Sequence, residues 1–175
     1  MLAACLRRVM TLSSPSRAWP IRHDWGMPSL SARAQAFLEA NRSAGMVTLR
    51  RDGSAHAVRV GVALVDGKVW SSGTQDRVRT RHLRRDPRAT LFVFGKGYEA
   101  LTLEATVRIL EGPDAPELNW QLFSVMQRGM SPGPAPGHLA WFGKQLDKEE
   151  FLRQMAEERR LIYEFNVTRE YGLSA

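Results

Sequence analysis

A strand-like run from Ala55 to Val65 carries two kinds of residue. Successive side chains of a strand alternate between its faces. Val58, Val60, Val62 and Leu64 therefore share one face, and Ala57, Arg59, Gly61 and Ala63 share the other. The branched face belongs in a core. The small face would let a flat ring lie close to the backbone, with Arg59 at hand for an anionic group; the alternative is a solvent-facing side that happens to be small. A second feature follows in Ser71-Ser72-Gly73-Thr74-Gln75-Asp76-Arg77-Val78-Arg79. Serines at a strand end, a glycine turn and a helix start with two arginines can form a phosphate cradle. Helix N-termini attract anions through free N–H groups and the helix dipole, and arginine adds bidentate contacts. A solvated basic helix carrying Arg77, Arg81, Arg84 and Arg85 is the plainer reading of the same residues.

Other chemistry is scarce. His23, His56, His82 and His138 show no metal-ligand spacing, and no Gly-x-Ser-x-Gly elbow is present. Glu99 and Glu104 lie on opposite faces of one expected strand, which disfavours a carboxylate pair. Cys5 is the single cysteine, so neither an internal disulfide nor a cysteine zinc site is expected. No metal site is expected and no catalytic side chain stands out; a cofactor would carry any hard chemistry. The net charge of +7 favours anionic partners. Nucleic acid is disfavoured because the arginines gather around one turn without interleaved aromatics. No apolar run approaches the roughly 20 residues that span a bilayer, so no membrane association is expected, and a reducing, cytoplasmic compartment fits.

The elements that must hold these residues are legible from pattern. A helix is expected from Ser29 or Ser31 to about Asn41, with serine as its cap. Strands follow at Gly45 to Arg50, Ala55 to Val65 and Lys68 to Ser72, joined by Asp52-Gly53 and Asp66-Gly67 turns. These read as a three-stranded meander. A short helix covers about Arg77 to Arg85 and stops before Asp86-Pro87. Strands are expected at Ala89 to Phe94 and Tyr98 to Leu110, a helix at Pro113 to Met126, and a loop at Gly129 to Gly137. The wider stretch from Gln127 to Gly143, with Met130, His138, Trp141 and Phe142, is a candidate cover for the site. A helix capped by Asp147 runs to Glu158, and a last strand spans Leu161 to Val167.

Residues 1–29 differ in kind. They hold four arginines, with serines and prolines, and no acid before Asp24. The segment reads as a targeting peptide, or as a leader created by an upstream start codon with Met10 or Met27 the true start. Either way it is expected to be disordered, with residues 30–175 forming one domain.

The order of elements, and above all the stretch from Arg77 through Asp86-Pro87-Arg88 to Leu91, resembles the pyridoxamine 5'-phosphate oxidase-like superfamily. Residues 30–112 carry most of the likeness. In that family a basic residue binds the cofactor phosphate ahead of an Asn-Pro-Arg or Asp-Pro-Arg turn. Arg79 stands where lysine is usual, and Arg59 falls near the cofactor-binding strand. From Arg51-Asp52-Gly53 through Asp86-Pro87-Arg88 the chain looks most like the branch that uses the deazaflavin coenzyme F420. The resemblance implies a mainly β (α+β) fold, a six-stranded antiparallel split β-barrel flanked by helices. It implies a homodimer with the cofactor in a groove between subunits, and a reductase passing hydride from reduced F420 to a small conjugated or electron-poor molecule. The residues expected at the cofactor are Ala57, Arg59, Gly61, Ser71, Ser72, Arg77 and Arg79. An FMN enzyme of the same fold, or a flavin- or haem-binding module without turnover, are the alternatives.

Overall fold

The computed structural model describes residues 30–172. The expectation for residues 1–29 lies outside them. Helix α1 (Ala32–Ala40) starts where the Ser31 hydroxyl accepts the Ala34 N–H at 3.2 Å, and it buries Ala34 and Leu38. Strands β1 (Ser43–Leu49) and β2 (Ala55–Gly61) form the expected Asp-Gly hairpin. The run then breaks at Val62 and resumes as β3 (Ala63–Val65), which pairs with β4 (Lys68–Thr74). Helix α2 (Val78–Arg85) leads to β5 (Arg88–Phe94) and β6 (Ala100–Leu110). Helix α3 (Ala115–Gln127), a hairpin of β7 (His138–Trp141) and β8 (Lys144–Asp147), helix α4 (Lys148–Glu157) and β9 (Arg160–Tyr171) complete the order.

The main sheet is antiparallel, with seven strands in the order β2-β1-β5-β6-β9-β4-β3. Six strands were expected, and the break at Val62 supplies the difference. Residues 55–65 do not form one strand in a meander, because β2 and β3 lie at opposite edges of the sheet. The sheet curls until its two edges are bridged by the chain itself at Val62, whose N–H donates to the Arg42 carbonyl at 3.0 Å. A curled sheet needs such a corner so that one strand can change partners. The hairpin β7–β8 is not expected from the sequence, which places β7 inside the covering stretch and gives β8 no element. Its Phe142-Gly143 turn lacks the Asn or Asp that marks such turns in sequence.

The concave face is the main core. Leu91, Leu101, Leu103, Met46 and Leu161 are fully buried there, and Val60 and Val62 join them as expected. The other face of β3, β4 and β9 is covered by α3, where Ala63, Val65, Trp70 and Ile162 meet Leu122. A third cluster locks α4 and the hairpin onto α3: Phe151 has ring contacts with Trp120, Phe123 and Trp141 at 5.5–5.7 Å between centroids. A full capping box between Asp147 and Glu150 starts α4 as expected. His82 is a structural histidine, buried with its Nδ1 3.0 Å from the Thr48 hydroxyl.

One buried chain of hydroxyls ties α2 to the sheet. The Thr80 hydroxyl donates to the Thr74 carbonyl at 2.7 Å. Its single proton is thereby used, so the Tyr163 hydroxyl, 2.5 Å away, donates to Thr80. The Tyr163 ring fits only because residue 73 is glycine: a Cβ there would meet ring atoms at 2.5 Å. Gly73→Ala should therefore destabilise the fold by about 1–3 kcal/mol, the range for overpacking. Urea denaturation checks this; an unchanged midpoint would show that Tyr163 can move aside freely.

Candidate functional site

The two sequence features meet in one cavity of about 260 Å³. β2 contributes Arg59 and Gly61, β4 contributes Ser72, and α2 contributes Arg79. β9 adds Arg160 at its first residue, and α3 adds Phe123 and Met126. Trp141 and Phe142 of the hairpin complete the wall. The lining thus holds three guanidinium groups and no carboxylate, a chemistry that suits an anion.

The small face expected along residues 57–63 is graded and divided between two strands. On β2, Ala57 is exposed, Arg59 reaches the cavity and Gly61 lies under the Met126 methyl, while Ala63, in β3, is sealed beneath α3. A Cβ at residue 61 would come within 2.5 Å of Met126 Cε. The close approach expected of a flat ring at Gly61 is thus made by a flexible thioether, which can change rotamer at low cost.

Each arginine is held differently. Arg59 Nε donates to the Ser43 hydroxyl at 2.9 Å. Arg79 lies beside the Tyr163 ring, 5.7 Å from its centroid, and Nη2 reaches the Ser72 carbonyl only at 3.5 Å. Its Nε is buried and has no hydrogen-bond partner among the described residues. A buried donor without a partner costs about 1–3 kcal/mol. Arg160 is the most constrained. Its Nε donates to Glu158 at 2.8 Å, its Nη1 donates to the Ser72 hydroxyl at 3.2 Å, and its guanidinium stacks 4.5 Å from the centroid of Trp141. Glu158 also accepts from the indole N–H of Trp141 at 3.1 Å.

Of the seven residues expected at the cofactor, Arg59, Gly61, Ser72 and Arg79 line this cavity. Ser72 donates its hydroxyl to the buried Asn119 at 2.6 Å and accepts from Arg160. Its proton is committed, so its part is to position Arg160. Ala57, Ser71 and Arg77 do not line the cavity. Ser71 sits one residue out of phase with Ser72, on the core side of β4, where it is fully buried and its hydroxyl has no partner among the described residues. Arg77 is exposed at the N-cap of α2. Arg160, Phe123 and Met126 carried no signal in the sequence. Trp141 and Phe142 belong to the candidate covering segment, and both line the cavity.

The profile of the family described as pyridoxamine 5'-phosphate oxidase matches residues 30–162. The chain belongs to this family. A crystal structure of a conserved hypothetical protein from Mycobacterium tuberculosis shares its fold with a TM-score of 0.63 at 22% identity, over 83% of this chain and 84% of that one. A structure named F420 reductase matches with a TM-score of 0.56 at 16% identity, over 78% of this chain and 94% of its own. A haem-binding protein of Mycobacterium smegmatis matches with a TM-score of 0.51 at 14% identity, over 78% of this chain and 50% of that one. At these identities the likeness is one of fold. No sequence among the curated proteins matches the chain. Among the described residues no group of acidic, histidine or cysteine side chains could hold a metal ion. No helix among them is long and apolar enough to cross a membrane.

Glu158 gives the site a pH limit. Burial pushes its carboxyl up, but hydrogen bonds from Arg160 and Trp141 outweigh this and hold it below its ordinary value. A carboxylate with a lowered pKa stabilises the fold fully above its unfolded value of 4.5 and loses that contribution as pH falls through the folded one. The melting temperature should therefore drop on acidification below about that pH, and less steeply in Glu158→Gln. Parallel curves for the two proteins would show that Glu158 has no such role.

Proposed function

We propose that this chain is an oxidoreductase that binds coenzyme F420 at the three-arginine cavity and reduces a small conjugated or electron-poor substrate. The observation that carries the reading is the convergence of Arg59, Arg79 and Arg160 on one anion site in a member of this family. Arg79 makes one long hydrogen bond, from Nη2 to the Ser72 carbonyl at 3.5 Å, and has no ion pair among the described residues, which leaves its terminal N–H groups for a phosphate. When bound, the deazaflavin supplies the hydride. The protein's own part is to neutralise the phosphodiester and the polyglutamate tail, which the net charge of +7 also favours. FMN is the second reading, because a phosphate monoester satisfies the same arginines. The compartment proposed is the cytoplasm.

Titrating the protein separately with FMN, oxidised F420 and haem, by absorbance and fluorescence, tests the cofactor. Preferential binding of F420 is expected; binding of haem alone would overturn the reading. Arg79→Ala should weaken binding by about 1.5–3 kcal/mol, roughly ten- to a hundred-fold. Arg84→Ala is the control. Arg84 pairs with Glu111 at 2.6 Å and does not line the cavity. Equal losses at both positions would point to a diffuse basic surface instead of a defined cradle.

The reading includes a homodimer. Arg59, Gly45 and Phe92 are register neighbours on three adjacent strands, so they share the sheet's outer face. That face carries Phe92 and Phe94, 44% and 46% exposed and in ring contact, and it continues to Tyr171. An apolar face of this kind is a candidate interface. It adjoins a cavity smaller than the roughly 300–1,000 Å³ typical of cofactor sites, so a second copy seated there would complete the wall beside Arg59. Sedimentation at micromolar concentration should give a species of twice 19.7 kDa. A monomer throughout that range would contradict the dimer.

A further inference from the structure

We infer that Phe142 is a ring-binding residue: the planar part of a phosphorylated ligand leaves the arginine cavity at its mouth and stacks on the Phe142 side chain. The inference rests on the reading of the cavity given above and deepens it.

Three observations converge on this residue. Phe142 is 85% exposed, so burial does not account for a phenyl group there. Its backbone is left-handed, with φ 44°, followed by Gly143 at φ 82°. The two-residue turn of the hairpin demands positive φ at both positions, where Asn-Gly is the unstrained choice. A bulky residue in that region is an outlier that costs free energy. Phe142 nonetheless lines the cavity that holds Arg59, Arg79 and Arg160. The sequence thus keeps an aromatic ring at a strained, wet position on the rim of an anion site.

The support beneath the ring is rigid. Phe142 meets Trp141 edge-to-face, with centroids 4.9 Å apart. Trp141 is itself 9% exposed and fixed by Glu158 and by the stacked Arg160 guanidinium. The aromatic platform and the third arginine are therefore one unit, and an anion drawn into the cavity by Arg59 and Arg79 lies beside it. A space of about 260 Å³ takes a phosphate group and its linker. A fused ring system attached to that phosphate has to emerge at the mouth, where Phe142 offers it an apolar face.

The test compares wild type, Phe142→Asn and Phe142→Tyr against FMN, oxidised F420 and inorganic pyrophosphate, the last being a ring-free anion. Asn accepts left-handed backbone, so Phe142→Asn should fold with an unchanged or raised melting temperature. It should bind FMN or F420 roughly three- to ten-fold more weakly, the loss of one aromatic pair, with pyrophosphate affinity unchanged. Phe142→Tyr should keep wild-type affinity for all three. Unchanged ring-ligand binding in Phe142→Asn overturns the inference alone. An equal loss for pyrophosphate overturns it by showing that residue 142 acts through cavity shape. A loss that appears only with dissociation of the dimer in sedimentation overturns it in favour of an interface role. Wild type that binds pyrophosphate and neither ring ligand overturns this inference and the proposed cofactor together, and wild type that binds none of the three also removes the anion site.

Discussion

The hydrogen bond from Tyr163 to Thr80, continued to the Thr74 carbonyl, is the constraint on which the site depends. It joins β9, α2 and β4 at one buried point. Arg79 directly precedes Thr80, and Ser72 lies two residues before Thr74. Fixing those two backbones therefore sets where the Arg79 side chain starts relative to the strand that lines the cavity. The bond is buried, where an unpaired hydroxyl would be costly, so the arrangement is held in a narrow range. Gly73 is the price of it, since a side chain there would displace the Tyr163 ring.

Around that point the site is assembled from parts with separate cores. The barrel core carries the strands, and the cluster of Phe151, Trp120 and Phe123 carries the hairpin. Arg160 spans the two. It starts β9, donates to Ser72 of β4 and stacks on Trp141 of the hairpin. Its charge is balanced by Glu158, which also anchors Trp141. Among the described residues Arg79 has no such carboxylate, and Arg59 is steadied by a neutral hydroxyl. The cavity therefore keeps an uncompensated positive potential at two of its three cations. That difference separates the cavity from an internal salt-bridge network.

Much of the local structure was legible in the sequence because it has local causes. Ser31 and Asp147 cap their helices, Asp52-Gly53 and Asp66-Gly67 turn their hairpins, and Asp86-Pro87 ends α2. Val58, Val60, Val62 and Leu64 pack on the barrel core because period-2 alternation ties face to position. The same rule made Arg59 and Gly61 neighbours on one face. The spacing from Ser72 to Arg79 spans a strand end and a helix start, and chain length alone keeps those two residues near each other.

What the tertiary structure decided has non-local causes. Whether residues 55–65 form one strand or two depends on which edges they meet, and that is settled by the closure of the sheet at Val62. Ser71 and Ser72 are chemically alike, and only the side of β4 covered by the barrel core separates the buried one from the one at the cavity. Arg160 reaches the site through the pairing of β9 with β4 across 86 residues, from Thr74 to Arg160. Phe142 became informative only once its left-handed φ and its place on the rim were known together. The sequence by itself determined the caps, the turns and the alternating faces, because neighbours in the chain suffice to specify them. Which cations converge, and on what aromatic support, was decided by strand order and by the docking of α3, since those contacts exist only after the sheet has closed.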